Sequence, residues 1–249
     1  MNGKQTLKFC ILYLTSCILA LIPLLVSASI KDTKHNLSVS GPGDVRAVHE
    51  TQICIFCHTP HNAYPAHPLW NHEVTAVVNY INYWSPTLQS YASEAEAPPI
   101  DGYSRLCLSC HDGTVAIGSI ISSGISCGDE ILMVTVPGVI ESGKLISGAS
   151  GYLGTDLSGG HPVSIIFDVS LANKRNSADP PLTRLKWPVN DPDVKLHPTQ
   201  GGYGVQCTAC HDPHANKAAG GWPPFWHKST HDEVCIVCHE EIPPGDIEW

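Results

Sequence analysis

Charge is scarce in this sequence of 249 residues: Asp, Glu, Lys and Arg together make up 15%, against a usual ~25%. That scarcity excludes a coiled coil, whose flanks are built from charged pairs. Basic residues are scarcer still, 14 Lys and Arg against 23 Asp and Glu for a net charge of −9, which excludes a basic nucleic-acid binder. Only four Phe and two Met are present, too few bulky side chains to fill a conventional core in a chain of this length. In excess are 21 Gly and 20 Pro, above the usual combined ~12%. They favour an irregular, wrapping backbone over long helices.

The one long apolar run lies at the start. Lys4 and Lys8 precede a stretch from Phe9 to Val26, closed by the small residues of Val26-Ser27-Ala28. This is the layout of an export signal, residues 1–28, with cleavage expected after Ala28. A membrane anchor is the alternative, because the run approaches the ~20 residues that span a bilayer; Pro23 and the small-residue exit favour cleavage. A lipoprotein attached at Cys17 is a second alternative, but the aliphatic stretch from Ile18 to Leu25 stands where a polar tether is expected. No permanent membrane anchor is therefore expected. The mature chain, residues 29–249, carries 12 basic and 23 acidic residues.

Of the 11 cysteines, Cys10 and Cys17 leave with the signal, and eight of the remaining nine form four CxxC pairs, each followed at once by histidine. The motifs are Cys54-Ile55-Phe56-Cys57-His58, Cys107-Leu108-Ser109-Cys110-His111, Cys207-Thr208-Ala209-Cys210-His211 and Cys235-Ile236-Val237-Cys238-His239. With 14 His in 249 residues, four such followers arise by chance with probability on the order of 10^-5, so the c-type haem reading is nearly forced. Two thiols three positions apart on one helical turn can add to the two vinyl groups of one haem, and the adjacent imidazole becomes the proximal iron ligand. Zinc ribbons also use paired cysteines, and exported chains use disulfides, but neither explains the histidines. Four haems in the mature chain leave roughly 55 residues for each, so the haems themselves are expected to form the core. The ninth cysteine, Cys127, is left over; a buried thiol is the default and an intersubunit disulfide the sharper option.

The sixth iron position decides between electron transfer and catalysis. Ten further histidines are available: His35, His49, His61, His67, His72, His161, His197, His214, His227 and His231. Met133, the one mature Met, reads as strand core in Ile131-Leu132-Met133-Val134, so bis-His ligation follows, with the lower potentials it implies. His61 and His214 each follow a proximal His by three residues, in His58-Thr59-Pro60-His61 and His211-Asp212-Pro213-His214. Three residues span at most ~10 Å, so neither can reach the far face of its own haem. Each binds a different haem or is a surface histidine. The fourth haem, with His239, is close enough in sequence to take His214, whereas His61 reads as a ligand offered to a neighbouring subunit. His35, on the arm, and His161, in Gly159-Gly160-His161-Pro162, read as distal ligands within the chain.

Along the mature chain, residues 29–48 read as a weakly structured N-terminal arm with a turn at Gly41-Pro42-Gly43. From Val115 to Ile146 the text reads as short strands or a hairpin, interrupted at Pro137-Gly138. Residues 173–204 read as a surface loop. The motif spacings of 53, 100 and 28 residues argue against a solenoid.

These features resemble the OmcE-type multihaem cytochromes, which polymerise into extracellular electron-conducting filaments. The resemblance runs through His35-Asn36-Leu37-Ser38, Gln52 to Asn62, Pro68-Leu69-Trp70-Asn71, Leu106 to Val115, Leu153 to Leu157 with His161-Pro162-Val163-Ser164, and Cys207 to His214. It implies a single tetrahaem domain over 29–249: an irregular, low-secondary-structure multihaem cytochrome c whose short attachment helices and few short strands wrap around a haem chain. It further implies four bis-His haems, with His35, His61, His161 and His214 as distal ligands, and a filament in which one subunit supplies a ligand to the next. The expected partners are copies of the chain itself and electron donors and acceptors. The expected location is outside the cell or at its surface, with the periplasm as alternative. A discrete periplasmic tetrahaem shuttle is the second function considered. A multihaem reductase is the third; the histidine surplus and the lack of a CxxCK motif favour no enzyme.

Overall fold

The computed structural model describes residues 29–65, 67, 69–123, 130–215 and 225–241. The export signal, Pro68 and Cys127 lie outside the described residues. No helix among the described residues is long and apolar enough to cross a membrane.

Three of the four α-helices among the described residues carry motif cysteines. They are α1 (Gly102–His111), α2 (Val169–Asn176), α3 (Cys207–Cys210) and α4 (His231–Cys238), while the first motif starts on a 3-10 turn at Cys54–Phe56. α4 starts at a capping box, in which Thr230 accepts from the Glu233 amide and Glu233 reaches back, satisfying two end donors at once. α2 carries no motif; Asp168 caps it by accepting from the Leu171 amide at 2.8 Å.

The strands are two to four residues long: β1 (Val45–Ala47), β2 (Met133–Thr135), β3 (Ile140–Glu141), β4 (Lys144–Leu145), β5 (Ile165–Ile166), β6 (His197–Thr199) and β7 (Gly202–Val205). They pair antiparallel as β1-β2, β3-β4 and β5-β7-β6.

Three sequence expectations change. The hairpin between Val115 and Ile146 turns at Ser142-Gly143, both at positive φ (49° and 77°), the geometry that matches strand twist; Pro137-Gly138 only separates it from β2. The stretch 173–204 begins inside α2 and ends in the β6-β7 hairpin, with loop only between. The arm is firmly held, because β1 pairs with β2 and Asn36 and Ser38 are fully buried. Asn36 donates to the Lys31 carbonyl at 2.8 Å and accepts from the Ser38 hydroxyl at 2.7 Å.

The apolar core is divided among small clusters. Ile55, Phe56, Ala47 and Ile120 pack with Cys57; Ile165, Phe167, Leu185 and Val205 pack with Cys210 and Cys238; Val194, Trp226 and Val234 pack with Cys210. Three of the four clusters among the described residues end at motif thiols; the fourth, Val45, Ile117, Leu145 and Ala149, does not.

Buried polar side chains join the motifs to one another. Gln206, fully buried, accepts from the Ser104 amide at 2.9 Å and donates to Asp101 Oδ1 at 2.9 Å. Asp101 also accepts from the Thr199 hydroxyl at 2.8 Å, and Ser104 Oγ accepts from the Cys207 amide at 3.0 Å. The start of α1 and the start of α3 are thus locked together. Asn71 ties the first motif to the segment after the second, donating to the Ile55 carbonyl at 2.6 Å and the Ser122 carbonyl at 2.9 Å.

Candidate functional site

All eight motif cysteines are outside disulfides. The Gln206 lock brings Cys107 against Cys207, whose thiols hydrogen-bond; that bond raises the Cys107 pKa and lowers that of Cys207 to about 7. Burial pushes the Cys57, Cys110 and Cys210 thiols up to about 12 and Cys238 to about 11. Cys57 also feels Cys110, and Cys210 feels Cys238 and Cys235. The thiols of successive motifs are thus near enough to act on one another in sequence order, with direct contact between Cys107 and Cys207.

Three of the four motif histidines face other histidines. His35 and His111 have ring centroids 5.9 Å apart, His58 and His214 6.1 Å, and His161 and His239 6.4 Å. Two imidazoles on opposite sides of one iron, each with a bond of ~2 Å from nitrogen to metal, place their centroids ~6 Å apart. His214 thus lies against the first motif. The sequence expectation paired it with the fourth; the fold gives that place to His161. His211 stacks on Trp226 at 4.5 Å, and Phe225 stacks on His35 at 4.3 Å.

Hydrogen bonds fix the tautomers. Nδ1 of His111 lies 2.6 Å from the Gly151 carbonyl, Nδ1 of His35 3.1 Å from that of Pro213, and Nδ1 of His161 2.9 Å from that of Pro162. A carbonyl can only accept, so these Nδ1 atoms carry the proton and each Nε2 keeps its lone pair. His214 places Nδ1 3.4 Å from Asp212 Oδ1. The other histidines differ. Nε2 is engaged with the Thr208 carbonyl in both His197 and His227, with the Ala116 carbonyl in His72, and with Cys235 Sγ in His231. The nitrogen engaged sorts ligand candidates from bystanders. His61 is exposed beside Thr59, whose hydroxyl donates to its carbonyl at 2.8 Å. Among the described residues no ring contact joins His61 to a motif histidine.

Burial lowers the pKa of His111 and of His161, and takes His35 to about 4, with His111 adding to the effect. It takes His239 to about 4 as well, with His161, Arg175 and Lys186 contributing. His58 is lowered by burial and by His214. Neutral imidazoles are the metal-binding form.

The donor set fits haem. Each of the three histidine pairs could offer imidazole nitrogens to a haem iron, and two thiols on the same motif could hold the macrocycle. Among the described residues no group of three or more His, Cys, Asp or Glu side chains would hold a bare ion. Among the described residues His239 Nδ1 is buried without a hydrogen-bond partner.

Gly151, Trp226, Phe225 and Gln206 were not singled out by sequence reasoning. The glycines around Gly151 in Gly148-Ala149-Ser150-Gly151-Tyr152-Leu153-Gly154 were the available signal.

Residues 197–243 match a family model described as a doubled CXXCH motif. No curated protein matches the chain. The motifs indicate covalently bound c-type haem, and the match, which covers less than a fifth of the chain, suggests a multihaem c-type cytochrome involved in electron transfer; the described residues have the low secondary structure consistent with one.

Proposed function

We propose that the chain is an exported tetrahaem c-type cytochrome, with one bis-His haem on each of its four motifs, and that copies of it polymerise into a filament conducting electrons haem to haem. Three opposed imidazole pairs with centroids 5.9 to 6.4 Å apart, each including a motif histidine, carry this reading. His58, His111, His211 and His239 are the proximal ligands. His214, His35 and His161 are distal ligands to the first, second and fourth motifs. Haem iron supplies the reversible redox couple. The side chains set ligation and spacing, and the thiol contacts between motifs keep neighbouring haem edges close. No bond is made or broken in the task, so the protein is not an enzyme.

His61 is the distal ligand offered outward, to an iron in a neighbouring copy. Its exposure and its position three residues after His58 favour this role, as does the resemblance to OmcE-type cytochromes. The location is outside the cell or on its surface, and the donors and acceptors of electrons are redox partners there.

Mass spectrometry and EPR of the purified protein test the haem reading: four haem increments and low-spin signals throughout are expected, and a missing increment or a high-spin signal near one haem equivalent refutes it. Negative-stain microscopy tests the filament. His61→Ala should leave four attached haems, open one iron position and give monomers or short oligomers. Long filaments of normal spectrum from that variant refute the link, and discrete particles from the wild type point instead to a periplasmic shuttle.

A further inference from the structure

The second and fourth motifs hold their imidazoles in opposite electrostatic surroundings. At the second, His111 donates to the Gly151 carbonyl at 2.6 Å and His35 to the Pro213 carbonyl at 3.1 Å, so both axial rings carry an Nδ1 hydrogen bond. The Asp112 carboxylate follows directly, buried and held by the Tyr80 hydroxyl at 2.7 Å and the Thr114 amide at 2.7 Å. At the fourth, His161 donates to Pro162, but His239 Nδ1 is buried with no partner among the described residues. The charges acting on its ring are the cations Arg175 and Lys186; Glu240, next in sequence, is exposed and paired with Arg184 at 3.4 Å, and Asp191 acts on Cys238. Lys186 is tied to this motif, its amide donating to the Cys238 carbonyl at 2.8 Å.

An Nδ1 hydrogen bond makes an imidazole a stronger donor to its metal, which favours ferric iron and lowers the potential. A nearby carboxylate acts in the same direction, and nearby cations favour the ferrous state. All three differences between the motifs have one sign. Taking the four bis-His haems proposed above as its premise, we infer that the chain builds a potential step into its haem row, lowest at the second motif, where Gly151 polarises His111, and highest at the fourth, where His239 has no acceptor.

Gly151 offers the lever. It sits at φ +87°, and a Cβ there would stand 3.3 Å from both Cε1 and Nδ1 of His111. Gly151→Ala must therefore push the ring from its acceptor. Gly148 has the same backbone, φ +89°, with nothing within 4 Å of an added Cβ, so Gly148→Ala carries the strain without the contact.

Potentiometric titration of the haem-loaded protein, followed optically and by EPR, reads the outcome. In the wild type the four components should spread by more than a tenfold difference in reduction equilibrium, or about 59 mV; one unresolved wave overturns the inference. Gly151→Ala should raise the lowest component by roughly that tenfold factor and leave the highest in place, while Gly148→Ala leaves both. A shift of another component, no shift, or an equal shift from both variants overturns it. Lys186→Met, an exposed substitution, should lower the highest component, and an unmoved highest component counts against the step. A high-spin haem in the wild type refutes the bis-His premise, whereas equal potentials with all haems low-spin refute the step alone.

Discussion

Replacing Gln206 should separate the second and third motifs, and two substitutions there give different pH signatures. In Gln206→Ala the Ser104 amide, buried at the start of α1, loses its acceptor, a cost of ~1–3 kcal/mol. With the small void left behind, the loss comes to ~3 kcal/mol, or a drop of roughly 6–12 °C in melting temperature for a chain of this size. Alanine brings no titratable group of its own, so the loss should be nearly constant from pH 6 to pH 8. Gln206→Glu keeps an acceptor for Ser104 but replaces the Nε2 donor, 2.9 Å from Asp101 Oδ1, with an oxygen. Two carboxylates that close cannot both ionise, so the introduced carboxyl has its pKa raised in the folded state. Its unfolded pKa is ~4.3. Below that value it is protonated in both states and costs little; as pH rises above it the unfolded chain releases a proton that the fold retains, and stability falls at ~1.4 kcal/mol per unit of pH until the folded pKa is passed. Thermal melts of both variants at pH 4, 6 and 8 check this. Wild-type stability and a flat profile for Gln206→Glu would refute the reasoning, since the side chain could not then be buried against Asp101.

Two further outcomes are expected. His214→Ala should convert one haem to a high-spin form while the ligand pair His161 and His239 stays intact, so that combining it with His161→Ala gives two high-spin equivalents by EPR; a single equivalent in the double variant means both histidines serve the same iron. In Asp191, burial alone would raise the carboxyl, but hydrogen bonds from Lys228 at 2.8 Å and from the Val194 and Asp193 amides hold it below its ordinary value of 3.8. The stability it contributes is present above pH 3.8 and lost as pH falls through the lowered value, so Asp191→Asn should flatten the acid side of a melting-temperature profile between pH 2 and 6, and an unchanged acid slope contradicts this.

The attachment motifs were legible because their chemistry is local: two thiols and an imidazole within five residues need no tertiary context to be recognised. The low content of regular structure was legible in the same way, from Gly, Pro and the scarcity of large apolar residues. Pairing was not. His214 reads by proximity as a partner for the fourth motif, 28 residues on from the third, yet the fold carries it to His58, because the tie between the starts of α1 and α3 orders the motifs in space. The helix α2 was missed because Lys, Arg and Asn fill its last turn, and only the Asp168 cap announces it. Gly151 was invisible as a polarising group, since a backbone carbonyl leaves no side-chain signature.

The contact between His58 and His214 has a consequence for biogenesis. If the chain is exported from its N-terminus as proposed, the first motif emerges early, but His214, the ring beside His58, follows only 156 residues later. Both intervening motifs lie inside that loop. Closing a loop of this length costs ~5 kcal/mol in chain entropy, which the iron bond and the surrounding packing must offset. With the ligation proposed above, the first haem would be loaded first and ligated late. In that interval its iron would lack the His214 ligand, so carbon monoxide or cyanide supplied during maturation would be expected to trap this site before the others, and trapping of all sites at once would contradict the order.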